Sequence, residues 1–499
     1  MKFDRLINRY QWFYLFMLWN TWIVGALLRF ANLAYLNFLV FDEKYFVEFA
    51  QAYLTGDSFF DSHPPLGKYL IALGIWIGDR LPFPHTYIEL NGALLSPWSY
   101  RWLNAVVGAL IPLIIGAIAY QLTQRYSYSV IAALFALTDG LFLVESRHAL
   151  INIYMVFFGL LGQLCLLLII RKKHQQSWLL PVFAGINFGA AAAVKWNGLG
   201  FLLGAYVLWL SDGLCLIFQQ YRKWHQLPKL PKLYQIIRCQ LFLSPRSFIL
   251  FLVVLPTLVY SLSWIPHLQL NPDYGFWQLH QQIFTYHHNL GNGETVHRYC
   301  SPWWTWPWTI RPVVYFYQTE ELADKSTVIY TVYGMANPIL SWLAIAAIGW
   351  LTYRLWQSIW IPLRRAIVKI KTLKRLLPTR RTLKRLLLTR SIIDIADRSP
   401  GWGVEYYLIV NYLCNWLPWV LVSRCTFLYH YMSAAVFGQL AIAFLVDSWL
   451  QTKRRYYILS AIGLIAIVLI AFIFWLPLYL GLPLSPAAWK LRIWFSSWV

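Results

Sequence analysis

Long apolar segments alternate with short polar ones along most of the chain, and their length gives the first prediction. A helix needs about 20 apolar residues to cross the hydrocarbon core of a bilayer. About 11 segments have this character, and each predicts a membrane-spanning helix: 12–34, 101–121, 129–145, 151–170, 178–195, 198–219, 247–266, 337–357, 405–422, 428–448 and 457–480. A shorter run at 66–78 contains polar residues and predicts an interfacial or re-entrant helix. The pattern predicts an all-α polytopic membrane protein whose residues 1–499 form one membrane-embedded domain.

The composition supports a membrane protein and excludes two other classes. Hydrophobic residues make up 59% of the chain and charged residues only 12%, whereas a soluble protein carries about 25% charged residues. Much of the surface is therefore expected to face lipid. The abundance of apolar and aromatic residues also excludes an intrinsically disordered chain.

The distribution of basic residues predicts the orientation, because Lys and Arg accumulate in cytoplasmic loops. With a cytoplasmic N-terminus, the inner segments hold 28 of the 42 basic residues: 1–11, 122–128, 171–177, 220–246, 358–404 and 449–456. Most acidic residues lie in the two largest outer segments, 35–100 and 267–336. The net charge of +22 is therefore read as a topology signal plus attraction to anionic membrane lipids, and no nucleic-acid partner is expected.

The basic cytoplasmic loop 358–404 contains a near-duplicate of ten residues. Thr-Leu-Lys-Arg-Leu-Leu occurs at 372–377 and again at 382–387, so basic residues interleave with leucine over 372–390. This pattern favours an amphipathic helix on the inner leaflet.

The six cysteines show no CxxC pair and no Cys/His spacing typical of zinc sites. Most of them fall in apolar runs, where we expect small buried hydrophobes: Cys165, Cys215, Cys239, Cys300, Cys414 and Cys425.

Polar residues concentrate in the first outer loop, 35–100. The pair Asp42-Glu43 follows an apolar run directly, which fits either a solvated helix boundary or carboxylates that are used in chemistry. The turn at His63 is stiffened by Pro64 and Pro65, which fits either a rigid helix entry or a side chain held in place.

Isolated cations mark the outer ends of three predicted spans: Arg147, Lys195 and Arg424. Each alone is typical of an interfacial side chain that snorkels to the membrane surface. Together, facing one compartment, they also fit a binding site for a lipid-linked phosphate.

The second large outer loop, 267–336, is rich in aromatic and histidine residues. The stretch from Trp303 to Trp308 contains four tryptophans, which fits both sugar contact and an aromatic belt at the interface. The pair His287-His288 with His297 could ligate a metal. Adjacent histidines seldom chelate one ion together, so no metal site is expected.

These features favour one kind of chemistry. A sugar on a polyprenyl phosphate already carries a good leaving group, so transfer needs a base for the acceptor hydroxyl and positive charge for the departing phosphate. A carboxylate and a group of cations supply both, and a single displacement inverts the anomeric centre. The sequence has no Gly-rich phosphate loop, which disfavours a nucleotide-driven pump.

Six short motifs follow one another between residues 41 and 431. They are Phe41-Asp42-Glu43, His63-Pro64-Pro65-Leu66-Gly67-Lys68, Asp139-Gly140 with Ser146-Arg147, Lys195-Trp196-Asn197-Gly198, Ser301-Pro302-Trp303-Trp304-Thr305-Trp306-Pro307 and Arg424-Cys425-Thr426-Phe427-Leu428-Tyr429-His430-Tyr431. In this combination and order, the chain resembles the protein O-mannosyltransferase family.

The resemblance implies a GT-C-type bundle of about 11 transmembrane helices, with large first and fourth extracytoplasmic loops. It implies a polyprenyl (dolichyl-type) phosphate mannose donor and Ser/Thr hydroxyls of secreted or membrane proteins as acceptors. The enzyme is expected in the cell membrane, with its active site extracytoplasmic. The acidic pair is catalytic in this family, so Asp42 is the expected base and Glu43 its partner.

The remaining expected site residues follow from the same motifs. Arg147, Lys195 and Arg424 are expected to bind the donor phosphate. The pocket is expected to be shaped by His63, Lys68, Trp303, Trp304 and His430. A requirement for a divalent metal and a coupling to the secretion machinery stay open.

The chain departs from the family pattern in two places. The family usually has an Asp a few residues after the arginine of its third motif, where this chain has Asn152, so a charge role there is open. Eukaryotic members carry a β-trefoil insertion in the second large loop. About 70 residues are too few for it, so the chain resembles bacterial members.

Two other functions share some of these features. A transferase of the lipid A aminoarabinose type would have the same general architecture but another acceptor. A transporter would place paired ionisable residues near the bilayer midplane, whereas the acidic residues here crowd the outer loops.

Overall fold

The computed structural model describes residues 2–82, 86–90, 93–171, 178–224, 240–293, 295–376 and 403–499. The helices of the first half are α1 (Lys2–Phe30), α2 (Glu43–Thr55), α3 (Leu66–Gly78), α4 (Pro97–Thr123), α5 (Tyr126–Leu137), α6 (Gly140–Arg147), α7 (Asn152–Arg171), α8 (Leu179–Val194) and α9 (Leu199–Trp224). The helices of the second half are α10 (Pro245–Phe248), α11 (Leu255–Ser263), α12 (Ile265–Leu270), α13 (Phe276–Asn289), α14 (Pro338–Leu376), α15 (Val404–Trp416), α16 (Met432–Leu450), α17 (Arg455–Leu480) and α18 (Pro486–Arg492). A π-helical segment, Ile249–Val254, connects α10 with α11. Short 3-10 turns lie at Trp196–Gly198, Trp303–Trp308, Leu417–Leu421, Leu428–Tyr431 and Ser496–Trp498.

The predicted helical membrane bundle is confirmed, but the count of 11 spans is not. Within the described residues, eight helical segments are long and apolar enough to cross a membrane, or nine if α5 and α6 form one bent span. Two predicted spans, 178–195 and 405–422, correspond to helices of only 16 and 13 residues. The average hydropathy of a segment does not reveal where a helix ends. Here a 3-10 turn follows each of these two helices after at most one residue.

The bend between α5 and α6 has an identifiable cause. Asp139 follows α5 and caps α6, because its side chain accepts hydrogen bonds from the backbone N–H groups of Leu141 and Phe142. The two helix axes meet at 61°. This break turns the short helix α6 and its polar C-terminal residues across the bundle.

Helix α16 lies at the centre of the bundle, since 78% of the residues in its apolar stretch are buried. It packs against α5, α14, α15 and α17. Lipid tails are as apolar as the helices, so close packing must hold such helices together, and small residues permit it. Gly185 of α8 shows this most clearly, because a Cβ there would lie 2.2 Å from the carbonyl oxygen of Phe251.

The two large polar loops, 35–100 and 267–336, contain short strands that the sequence pattern did not predict. Strands β1 (Ile88–Leu90) and β2 (Ala93–Leu95) form a small antiparallel pair. Strands β3 (Val313–Glu321) and β4 (Thr327–Gly334) form a longer hairpin, with a register shift between Val314 and Phe316. The hairpin is anchored to the C-terminal part by an antiparallel bridge between Ile329 and Leu484.

A disulfide joins Cys300 to Cys425 across 125 residues of sequence. The prediction that most cysteines are small buried hydrophobes is therefore wrong for this pair. No local pattern indicated this disulfide, because its two cysteines lie far apart in the chain.

The duplicated basic segment 372–390 predicts an amphipathic helix on the inner leaflet. From residue 377 onward, this segment lies outside the described residues.

Candidate active site

The loop between α1 and α2 holds Asp42 in a constrained position. The preceding residue, Phe41, has a φ of +47°, which is uncommon for a residue with a side chain. Its ring stacks on Tyr315 of β3 at a centroid distance of 4.9 Å. Asp42 occupies the N-cap position of α2 but makes no side-chain capping bond. Its carboxylate is therefore left available, and it accepts a hydrogen bond of 3.2 Å from the Tyr429 hydroxyl.

Burial raises the pKa of Asp42 to about 6, while the Lys195 charge and the Tyr429 hydrogen bond oppose that increase. A general base works best when its pKa lies near the operating pH. The Asp42 carboxylate is ionised at neutral pH and is a stronger base than an ordinary aspartate. It is thus suited to accept a proton from a hydroxyl.

A cavity of about 380 Å³ opens beside this residue. Its walls come from the α8–α9 connection, from α13 and from the chain between α15 and α16; among the lining residues are His63, Lys195, Trp196, His287, Asn415, Trp419 and Arg424. Asp42 does not line the cavity itself. It is linked to the cavity through Tyr429, because the Lys195 ammonium lies 5.0 Å from the centre of the Tyr429 ring.

The cations of the cavity are held in place by neighbouring polar groups. Lys195 is almost fully buried and donates a 3.0 Å hydrogen bond to Asn152 Oδ1. Arg424 donates to the carbonyl oxygen of Cys425 at 3.0 Å, and the disulfide ties that residue to Cys300. The arrangement supplies two positive charges beside one carboxylate.

Comparisons with known proteins identify the family. A family model described as dolichyl-phosphate-mannose-protein mannosyltransferase matches residues 20–270. A second model, the C-terminal four-TMM region of protein-O-mannosyltransferase, matches residues 273–498. The chain belongs to this family. The predicted resemblance is confirmed, and the enzyme is a glycosyltransferase of the protein O-mannosyltransferase type.

Curated relatives align over most of the enzyme's length. The polyprenol-phosphate-mannose–protein mannosyltransferase of Mycolicibacterium smegmatis is 25% identical over 95% of this chain and 91% of its own. The protein of the same name from Corynebacterium glutamicum is 25% identical over 87% of this chain and 81% of its own. The Saccharomyces cerevisiae protein O-mannosyltransferase Pmt1–Pmt2 complex bound to the sugar donor has a similar fold, with a TM-score of 0.69, 15% identity and coverage of 97% and 92%.

Glu43 sits differently from Asp42 although the two are adjacent. It is fully buried, and Arg101 donates to both of its oxygens at 2.8 and 2.7 Å. The backbone N–H groups of Val40 and Ala149 also donate to it. With its oxygens occupied, Glu43 anchors the loop that carries Asp42. Sequence reasoning missed Arg101, whose only signal was a lone cation at the start of a predicted span.

The Glu43–Arg101 pair leads to a prediction about stability. We expect Glu43→Gln to lower the free energy of unfolding by about 3–5 kcal/mol, because it leaves a buried guanidinium unpaired. Thermal unfolding of the purified enzyme measures this effect. The control is Glu405→Gln, which breaks the 3.7 Å pair with the exposed Arg354 and should cost about 0–1 kcal/mol. Equal losses in the two variants would contradict the anchoring role.

Arg147 is not brought to the cavity. Its guanidinium donates to the carbonyl oxygens of Leu28, Arg29 and Ala31 at 2.7, 3.1 and 2.9 Å. These groups belong to the C-terminal end of α1, where carbonyls lack helical partners. The contacts therefore give Arg147 a capping role, in contrast to Lys195 and Arg424.

The His63 turn lies against the cavity. His63 lines the cavity, and burial, followed by the Lys195 charge, lowers the pKa of its imidazole. The ring is therefore neutral. Lys68 supports the turn, because it pairs with Asp61 and donates to the His63 carbonyl oxygen at 2.7 Å.

The expected aromatic residues lie in different surroundings. His430 is buried with its ring centroid 4.6 Å from that of Trp419, which lines the cavity. Trp303 packs against Trp416 in an edge-to-face pair. The Trp304 side chain is 58% exposed. Of these three side chains, His430 is the one whose ring packs against a residue of the cavity wall.

The three histidines considered for metal binding do not converge. His287 and His288 line the cavity, whereas the His297 ring packs edge-on against Phe427. Among the described residues, no group of three or more His, Cys, Asp or Glu side chains could hold a metal ion.

Proposed function

We propose that this enzyme transfers mannose from a polyprenyl phosphate mannose to Ser or Thr hydroxyls of secreted or membrane proteins. The observation that carries this proposal is the ionisable carboxylate of Asp42 next to a cavity lined by the buried Lys195 and the half-buried Arg424. Family membership supports the sugar and the acceptor, because both family models describe protein mannosyltransferases. That description favours a protein acceptor over lipid A.

The chemistry follows from the positions of these groups. The donor phosphate binds between Lys195 and Arg424, which stabilise the negative charge that develops on it. The acceptor oxygen attacks the anomeric carbon, the bond from that carbon to the phosphate oxygen breaks, and its electron pair leaves with the phosphate. Asp42 takes the hydroxyl proton. One displacement inverts the anomeric centre.

The surroundings of the cavity suit a lipid-linked donor. Leu421 and Phe284 line it, and their side chains are 86% and 66% exposed. Exposed apolar side chains at a membrane protein's surface contact lipid at no cost. The prenyl chain of the donor is therefore placed along this side, with its phosphate at the cations.

We place the active site at the outer face of the cell membrane, with the N-terminus in the cytoplasm. The support is the concentration of Lys and Arg in the opposite loops. In this orientation the acceptor reaches Asp42 while it emerges from the membrane, which would also allow coupling to the secretion machinery.

The pH dependence of transfer tests the role of Asp42. We expect the rate to fall tenfold per pH unit below about pH 6, because the base must be ionised and its pKa is about 6. Tyr429→Phe removes a hydrogen bond that lowers the pKa of Asp42, so this acid limb should move to higher pH. Rates of mannosyl transfer between pH 4 and 8 provide the measurement. A limb that stays in place in the variant would contradict the assignment.

Loss of the gene tests the function in cells. Secreted proteins of a deletion strain should lose hexose from Ser and Thr, and the intact gene should restore it. Mass spectrometry of the secreted proteins measures this. Unchanged hexose on protein, together with a lipid that loses its sugar, would favour the aminoarabinose-type alternative.

A further inference from the structure

Four side chains form one continuous hydrogen-bonded chain that ends at Lys195 in the cavity wall. The Tyr315 hydroxyl donates to Glu145 Oε1 at 2.5 Å, and Asn152 Nδ2 donates to Glu145 Oε2 at 3.2 Å. Lys195 Nζ then donates to Asn152 Oδ1 at 3.0 Å. All four side chains are buried, with Glu145 at 0%, Asn152 at 4% and Lys195 at 5% exposure.

The chain of bonds has a fixed direction. An ionised carboxylate only accepts hydrogen bonds, whereas an asparagine amide has one donating and one accepting end. Because Asn152 uses its Nδ2 group on Glu145, its oxygen is turned toward the Lys195 ammonium. A neutral group in place of Glu145 would allow the amide to rotate and to present N–H groups to the ammonium.

The same chain also carries a charge to Lys195. A buried ammonium is costly unless an opposite charge compensates it. Within the described part of the chain, no carboxylate forms an ion pair with Lys195 inside 4.0 Å. Asp42 and Glu145 are the two carboxylates whose charges favour the Lys195 cation most. Asp42 becomes neutral when it takes a proton, whereas Glu145 takes no part in that transfer and is joined to Lys195 through Asn152.

We propose that Glu145 is the positioning residue for Lys195 and acts on it through Asn152. Glu145 touches no substrate: it fixes the orientation of the amide and compensates the ammonium, whose remaining protons then face the cavity. Asn152 transmits this effect as a neutral relay. The inference rests on the proposed function, because that function assigns Lys195 to the donor phosphate.

The relay predicts that the negative charge can be moved from position 145 to position 152. In the double variant E145Q/N152D, the carboxylate at position 152 accepts directly from Lys195. The amide at position 145 then donates to that carboxylate and still accepts from Tyr315. Every polar group keeps a partner, and one negative charge remains beside the ammonium.

The test measures the dissociation constant of the purified enzyme for undecaprenyl phosphate, a donor analogue that lacks the sugar. We expect E145Q to weaken binding about 10- to 100-fold, as for loss of a hydrogen bond to a charged group, and the double variant to restore it to within about threefold. Binding by E145Q within twofold of the unaltered enzyme overturns the inference. So does a double variant that binds no better than E145Q.

A second variant covers the case in which E145Q does not accumulate in membranes. N152A breaks the relay without changing Glu145 and should weaken phosphate-lipid binding by a similar factor; unchanged binding overturns the inference. Failure of the proposed function would show separately, as absence of mannosyl transfer by the unaltered enzyme. The binding measurement does not depend on sugar transfer, so it tests the relay whether or not the enzyme transfers mannose.

Discussion

Replacing Asp42 with asparagine is expected to lower mannosyl transfer at least about 100-fold, because general bases contribute about 10²- to 10⁴-fold to a rate. The amide has nearly the shape of the carboxylate, so the Tyr429 hydroxyl can still donate to its oxygen. What the variant loses is the group that takes the hydroxyl proton. Transfer to a Ser/Thr peptide, measured with saturating donor, isolates that loss.

The matched control for this variant is Asp57→Asn. Asp57 lies at the other end of α2, where it is exposed and bonded only locally to Thr55. This change should leave transfer within about twofold, since exposed substitutions seldom have larger effects. Equal thermal unfolding of both variants would show that the fold is intact. Full activity of Asp42→Asn would remove this residue as the base.

Removing one cavity cation is expected to have the second largest effect. Lys195→Met keeps the apolar stem but deletes the ammonium, and it should reduce transfer by about 100- to 1,000-fold, as for loss of one group that stabilises developing charge. Arg424→Lys keeps the charge but loses the planar fork that matches phosphate oxygens, so its loss should be smaller. Donor KM and kcat for both variants measure these effects.

The control for the cation variants is Lys325→Ala. Lys325 lies on the exposed turn of the β3–β4 hairpin, so its loss changes the net charge but not the cavity. It should leave the donor KM unchanged. If Lys195→Met and Lys325→Ala behaved alike, the phosphate site would have to lie elsewhere.

The sequence predicted the architecture well because lipid imposes a simple pattern on it. Runs such as 457–480 must be apolar along their whole length to face hydrocarbon, and such runs became helices, here α17. The two runs at 178–195 and 405–422 did not become full-length spans. Hydropathy sums over a window, and it is insensitive to the 3-10 turns that end α8 and α15.

Several of the residues that the motifs singled out lie at or near the cavity. Lys195, Arg424 and His63 line it, and Asp42 lies behind Tyr429. The role of one other charge, that of Arg147, was not visible from residue type. Arg147 has the same chemistry as Arg424, but carbonyl groups at the end of α1 occupy it. That difference depends on helix packing, which spacing along the chain does not encode.

Long-range partners were the least predictable part of the site. Arg101 lies 58 residues from Glu43, and Cys425 lies 125 residues from Cys300. No local pattern links such pairs. The charge role left open at Asn152 is a short-range case: Glu145 lies only 7 residues away, but the turn between α6 and α7 decides whether the two side chains meet.

Reconstituted transfer with analysis of the product's anomeric configuration tests the central claim most directly. The purified enzyme is given polyprenyl phosphate mannose and a Ser/Thr peptide, and nuclear magnetic resonance determines the configuration of the sugar on the peptide. Direct attack by a hydroxyl that Asp42 deprotonates predicts a mannosyl peptide with the configuration opposite to that of the donor. A product that retains the donor's configuration, or a peptide that receives no mannose, would contradict the account.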